Sequence, residues 1–164
     1  MTRDFSTVGV IGLGTMGAGI VEVFARNGID VVAVEVDGPA IEHGKAVLGG
    51  STGRALARGK MTQQEHDALH SRVTFTSNLG DLAPCQLVVE AVPEHLDLKK
   101  ELLGKVDEVV SADAILATNT SSLPVTEIAV AKNSTIIFPL PIDTIKVFTD
   151  RLAAIQAANG SHGD

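Results

Sequence analysis

The sequence predicts an α/β domain, a parallel sheet wound on both faces by helices. Three observations predict it. Short apolar runs recur at Thr7–Ile11, 30–36, 73–75, Leu87–Glu90 and Ile115–Thr118. Stretches with helical spacing separate them. The run over 30–36 is continuously apolar through its middle, as a strand covered on both faces is. Strands alternating with helices give a parallel sheet. The expected strand order is 3-2-1-4-5 with Thr7–Ile11 central, and the run over 134–138 would add a sixth strand.

The first element pair carries the most information. Thr7–Ile11 leads directly into Gly12-Leu13-Gly14-Thr15-Met16-Gly17, and a helix-like stretch follows over 18–26. Strand, glycine turn and helix in this order form the context that gives a G-x-G-x-x-G pattern its meaning. Gly12 permits the tight turn, Gly14 lets the backbone approach a pyrophosphate, and Gly17 lets the helix pack on the strand. The helix start, with Thr15 and Met16, offers free amides and a partial positive charge to phosphates. The pattern predicts a Rossmann-type dinucleotide site.

The second strand ends in Glu35, about twenty residues past the glycines, as the fingerprint requires. A carboxylate there accepts hydrogen bonds from ribose hydroxyls and repels a 2′-phosphate. No arginine or lysine lies between Gly28 and His43 to welcome one. The expected cofactor is therefore NAD rather than NADP.

A second helix is expected from Pro39 to about Ala57, with Asp37 as its N-cap and Gly49-Gly50 as a weak point. Thr62-Gln63-Gln64-Glu65 forms a capping box for a short helix reaching His70. The region over 44–69 exceeds what a simple crossover needs and suggests a helical hairpin projecting from the sheet. Its Lys45, Arg54, Arg58 and Lys60 also suit a solvated mixed-charge face. The stretch over 96–110 predicts a helix with Leu98, Leu102, Val106 and Val109 on one face. A last helix is expected over 122–131, with Pro124 early in it.

Bulk properties narrow the function. The net charge of −7 offers no surface for nucleic acid or an acidic membrane. One cysteine, Cys85, precludes an internal disulfide and fits a reducing cytoplasm. Cys85 is expected to be a small buried apolar residue. The first five residues lack a long apolar stretch, so no secretory signal is expected. No metal-ligand set is apparent. The domain is expected over residues 1–142, with a divergent, poorly ordered tail over 143–164.

Three segments together resemble the NAD-binding domain of the 3-hydroxyacyl-CoA dehydrogenase family, including its 3-hydroxybutyryl-CoA branch. They are Val10-Ile11-Gly12-Leu13-Gly14-Thr15-Met16-Gly17-Ala18-Gly19-Ile20, Leu87-Val88-Val89-Glu90-Ala91-Val92-Pro93-Glu94 and Ile115-Leu116-Ala117-Thr118-Asn119-Thr120-Ser121-Ser122-Leu123. The resemblance runs from about Thr7 to Ala131. It implies that Glu35 holds the adenosine ribose, and that Glu94 and Lys99 contact the nicotinamide half of NAD. Spacing alone also allows Glu94 and Lys99 to be a surface pair at a helix start. The resemblance further implies that Ser121 bonds the 3-oxygen of a 3-hydroxyacyl-CoA substrate and that Asn119 shapes that pocket. Ser51 and Arg58 fall about where the family contacts coenzyme A. The implied reaction, in fatty acid metabolism, is hydride transfer between C3 of the acyl-CoA and the nicotinamide.

The resemblance then stops. The family continues with Gly-Leu-His-Phe-Phe-Asn-Pro, whereas this sequence has Ser134-Thr135-Ile136-Ile137-Phe138-Pro139-Leu140-Pro141. Thr135 takes the place of the catalytic histidine, Phe138 that of the asparagine, and Val147 that of a later glutamate. The helical domain that follows in the family, with most of its dimer interface, is not in this sequence. Two readings follow. One is a truncated dehydrogenase of this family with weak or no turnover alone; the other is a catalytically inactive NAD-binding module.

Overall fold

A computed structural model describes residues 5–119 and 137–139. Within them lie β1 (Thr7–Ile11), α1 (Thr15–Arg26), β2 (Asp30–Val34), α2 (Gly38–Ala57), α3 (Gln63–Ser71) and β3 (Val73–Thr76). After these come β4 (Leu87–Glu90), α4 (Leu96–Val109), β5 (Ile115–Thr118) and β6 (Ile137–Pro139). The six strands form one sheet in the order β3-β2-β1-β4-β5-β6, every neighbouring pair parallel. The expected order holds, and the sixth strand, expected over 134–138, is described at Ile137–Pro139 beside β5.

Alternation along each strand sorts side chains into two cores. Val8 and Val10 of β1 face one side with Ile20, Val21 and Phe24 of α1. Ile11 faces the other with Val88, Leu103 and Val106. Gly9 also faces that second side, and a Cβ on it would lie 2.5 Å from Leu82 Cδ2. Period-two alternation makes each strand serve both faces, so both must be covered by helices.

The capping signals formed as expected. Asp37 Oδ1 accepts the Ala40 amide at 2.9 Å. Thr62 Oγ1 accepts from the Glu65 amide at 3.1 Å, and Glu65 Oε2 accepts from the Thr62 amide at 2.8 Å. The helix α2 runs unbroken through Gly49-Gly50. The α2–α3 hairpin is packed on α1: Leu48, Met61 and Leu69 are buried in the same core as Phe24. Cys85 is buried, and that burial pushes its thiol up to about 11.

Small shifts of one residue aside, three differences from expectation bear on the site. The second strand ends at Val34 rather than 36, because the Glu35 side chain turns back to the glycine turn and Val36 is exposed. The first helix starts at Thr15 rather than 18, since the glycine turn itself enters the helix. In α4 the buried residues are Lys99, Leu103, Val106 and Asp107, whereas Leu98 is 45% exposed. The buried stripe is thus rotated by about one position from the expected one. The expected helix over 122–131 and the tail over 143–164 lie outside the described residues.

Candidate functional site at the carboxyl ends of the strands

The sheet reverses its winding between β1 and β4. Doubly wound sheets hold ligands at such a reversal, beyond the carboxyl ends of the strands. The glycine turn stands there, at the carboxyl end of β1. Gly12 has φ of 90°, and its amide donates to the Val34 carbonyl at 3.0 Å. A Cβ on Gly12 would come within 2.8 Å of the Ala91 carbonyl oxygen. One on Gly17 would lie 1.6 Å from the Gly12 carbonyl oxygen. A Cβ on Gly14 would meet nothing within 4 Å. Packing of the protein on itself therefore demands Gly12 and Gly17. At Gly14 the missing Cβ instead leaves open space over the start of α1.

Gly14 is also the N-cap of α1. It has no side chain to accept the first-turn amides, and that turn carries no acidic residue. The amides of Thr15, Met16 and Gly17 and the positive end of the helix dipole are thus left for an external anion. Met16 is 43% exposed at this turn.

Glu35 stands at the adjoining end of β2. Its Oε1 accepts from the Leu13 amide at 2.6 Å and its Oε2 from the Val36 amide at 3.1 Å. Two amide bonds orient the carboxylate beside the glycine turn while leaving acceptor capacity.

A second group of residues gathers at the carboxyl ends of β4 and β5. Register pairs Glu90 of β4 with Thr118 of β5. Thr118 Oγ1 donates to Glu90 Oε2 at 2.6 Å, and the Val92 amide donates to Glu90 Oε1 at 2.7 Å. Lys99 Nζ donates to both Glu90 oxygens at 3.1 Å. Both Glu90 and Lys99 have side chains 0% exposed. Lys99 also lies 3.7 Å from Glu94 Oε1, which is at the solvent edge. Lys99 is therefore no surface residue, and the surface-pair alternative fails. A charge removed from water needs a partner and further hydrogen bonds, and Glu90 supplies them. The Asn119 amide donates to the Glu90 carbonyl at 2.8 Å.

The structure thus brings Gly12, Gly14, Thr15, Met16, Gly17, Glu35, Glu94, Lys99 and Asn119 to the carboxyl ends of four strands. Ser51 and Arg58 lie elsewhere, on α2 and at its C-cap. Ser51 Oγ donates to Glu22 Oε2 of α1 at 2.6 Å, and Arg58 is exposed. Ser121 and Thr135 lie outside the described residues. His95 caps α4, with Nδ1 accepting the Leu98 amide at 3.4 Å. Sequence reasoning passed over Glu90 and Thr118 as site residues. The available signal was a carboxylate closing an otherwise wholly apolar strand, Leu87-Val88-Val89-Glu90.

A parallel sheet with a glycine turn, a bare helix start and an acidic second strand end defines a dinucleotide-binding domain. Residues 7–137 match the family model for 3-hydroxyacyl-CoA dehydrogenase, NAD binding domain. The chain belongs to this family. It is 42% identical over 132 residues to a 3-hydroxybutyryl-CoA dehydrogenase of Mycobacterium tuberculosis, a match covering 80% of this chain and 46% of that protein. The crystal structure of FadB2 from M. tuberculosis superposes with a TM-score of 0.81 at 38% identity, covering 87% of this chain and 51% of that one. The (S)-3-hydroxybutyryl-CoA dehydrogenase PaaH1 of Ralstonia eutropha gives 0.81 at 26% identity, covering 92% and 62%. The chain thus spans about half the length of the relatives it matches. NAD is the cofactor of this domain.

Proposed function

We propose that this chain is the cofactor-binding half of a 3-hydroxyacyl-CoA dehydrogenase. The observation that carries the reading is the open position at Gly14, set over uncapped helix amides and beside an oriented Glu35. The Thr15, Met16 and Gly17 amides would bond the pyrophosphate, and Gly14 would admit it. Glu35 would accept the ribose hydroxyls and exclude a 2′-phosphate. Glu94, Lys99 and Asn119 would border the nicotinamide end. Bound NAD supplies the hydride acceptor or donor.

On the substrate side, Ser121 would bond the 3-oxygen of an acyl-CoA, since a hydroxyl serves both an alcohol and a ketone. Arg58, exposed at the end of α2, suits a coenzyme A phosphate; Ser51 would have to leave Glu22 to take part.

Calorimetric titration with NAD and NADP tests the cofactor reading. Binding of NAD in preference to NADP is expected, and binding of neither overturns it. A second reading, a binding module without turnover, is favoured by Thr135 in the place of the family's histidine. A missing general base costs about 10²–10⁴-fold in rate. Assay of the chain with acetoacetyl-CoA and NADH decides whether it turns over by itself. Undetectable turnover beside intact NADH binding supports the module. Brisk turnover abolished by Ser121→Ala supports the enzyme.

A further inference from the structure

Glu90 does more than one residue's share of bonding at this site. Its carboxylate receives Lys99 from α4, Thr118 from β5 and the Val92 amide from the loop after β4. Its carbonyl receives the Asn119 amide. One buried carboxylate therefore ties together the ends of two strands and the first turn of a helix.

Stability alone does not call for this arrangement. Replacing a buried ion pair by apolar residues of similar volume is often neutral or stabilising. What the pair provides is direction. Lys99, fixed by two bonds to Glu90, is held within 3.7 Å of Glu94, and Asn119 is fixed by its main chain.

We propose that Glu90 is a positioning residue that sets Glu94, Lys99 and Asn119 for the nicotinamide end of the cofactor. The role rests on the NAD reading above. Glu90 is sealed from solvent, so it acts through these neighbours rather than by touching the cofactor. It should therefore matter for the nicotinamide half and be nearly neutral for the adenosine diphosphate half, which lies against the glycine turn and Glu35.

The test compares two probes, NADH and ADP-ribose, on the full chain, by calorimetry and by nicotinamide fluorescence. Glu90→Gln keeps the shape and removes the charge. It should weaken NADH by about 10–100-fold, because small misplacements of positioning groups have effects of that size. ADP-ribose should change by less than about twofold, its contacts being to main-chain amides and Glu35. Equal losses for both probes, or no loss for either, overturn the proposal.

Should Glu90→Gln fail to fold by circular dichroism, Thr118→Val decides. It removes one donor to the carboxylate and should weaken NADH about three- to tenfold, with ADP-ribose spared and Thr118→Ser restoring affinity. Parallel effects on both probes, or no rescue, overturn the proposal. Two results on the unaltered chain separate the levels. If NADH binds no tighter than ADP-ribose, the positioning role falls and the cofactor reading stands. If neither binds, the cofactor reading falls and takes the role with it.

Discussion

Glu35 Oε1 accepts the Leu13 amide at 2.6 Å across 22 residues of sequence, so the acidic end of β2 and the glycine turn form one unit. The bond orients the carboxylate and steadies the turn together. Glu35→Ala should lower NAD affinity and narrow the NAD over NADP ratio by about tenfold, since a charge-assisted acceptor and a repulsion are both lost. Titration calorimetry with the two cofactors checks this. An unchanged ratio would remove Glu35 from cofactor selection.

The glycines should separate by role. Gly17→Ala places a Cβ 1.6 Å from the Gly12 carbonyl oxygen and forces backbone apart. It should cost about 3 kcal/mol or more, the upper end for overpacking. Gly14→Ala meets open space and should cost about 1 kcal/mol or less. Yet Gly14→Ala should lose NADH binding by at least about tenfold, because the added methyl occupies the space the pyrophosphate needs. Urea denaturation and NADH titration of both variants give the comparison.

Lys99→Met should cost about 3–5 kcal/mol, because it leaves the Glu90 charge buried without its cation. Adding Glu90→Gln to Lys99→Met should recover most of that loss. A double-mutant cycle by urea denaturation measures the coupling. Additive losses would show that the two charges are not paired in solution.

His70 makes stability depend on pH. Burial, with the neighbouring His66 next in weight, holds its pKa below the ordinary histidine value, against weaker opposing effects of Asp67 and Glu22. Its Nε2 also lies 2.9 Å from Thr52 Oγ1. A depressed folded value means that the unfolded chain binds the proton more readily. The folded state therefore loses no stability to this group above about pH 6.5, and loses it as pH falls below that toward the folded value. His70→Gln should flatten the denaturation midpoint between about pH 7 and 5. An identical slope in both proteins would contradict the assignment.

Much of the fold was legible because its signals are local. Thr7–Ile11, Leu87–Glu90 and Ile115–Thr118 appeared at the bounds the structure gives them. A short apolar run between turn signals has little freedom to be anything else. The capping box at Thr62 and the N-cap at Asp37 are likewise chemistry among residues three apart. The glycine turn was legible for the same reason, Glu35 by its spacing from that turn, and the parallel order followed from strands alternating with helices.

The rest depended on contacts that no local pattern contains. Along α4, residues 98, 102, 106 and 109 and the buried set beginning at Lys99 fit a helical period about equally well. Only docking on the sheet decides which stripe is covered, and it covered a lysine and left Leu98 exposed. Hydropathy places Lys99 outside, since it assigns a charge the cost of leaving water without knowing its partners. Those partners are Glu90, nine residues away, and behind it Thr118, a further 28 from Glu90. Ser51 met Glu22 in the same way, across two packed helices. The sequence determined by itself which of the described segments form strands and helices and where the glycine turn falls, because backbone conformation follows near neighbours. The tertiary structure alone decided which charges are buried and which side chains they hold in place, because burial energy depends on groups brought together only by the fold.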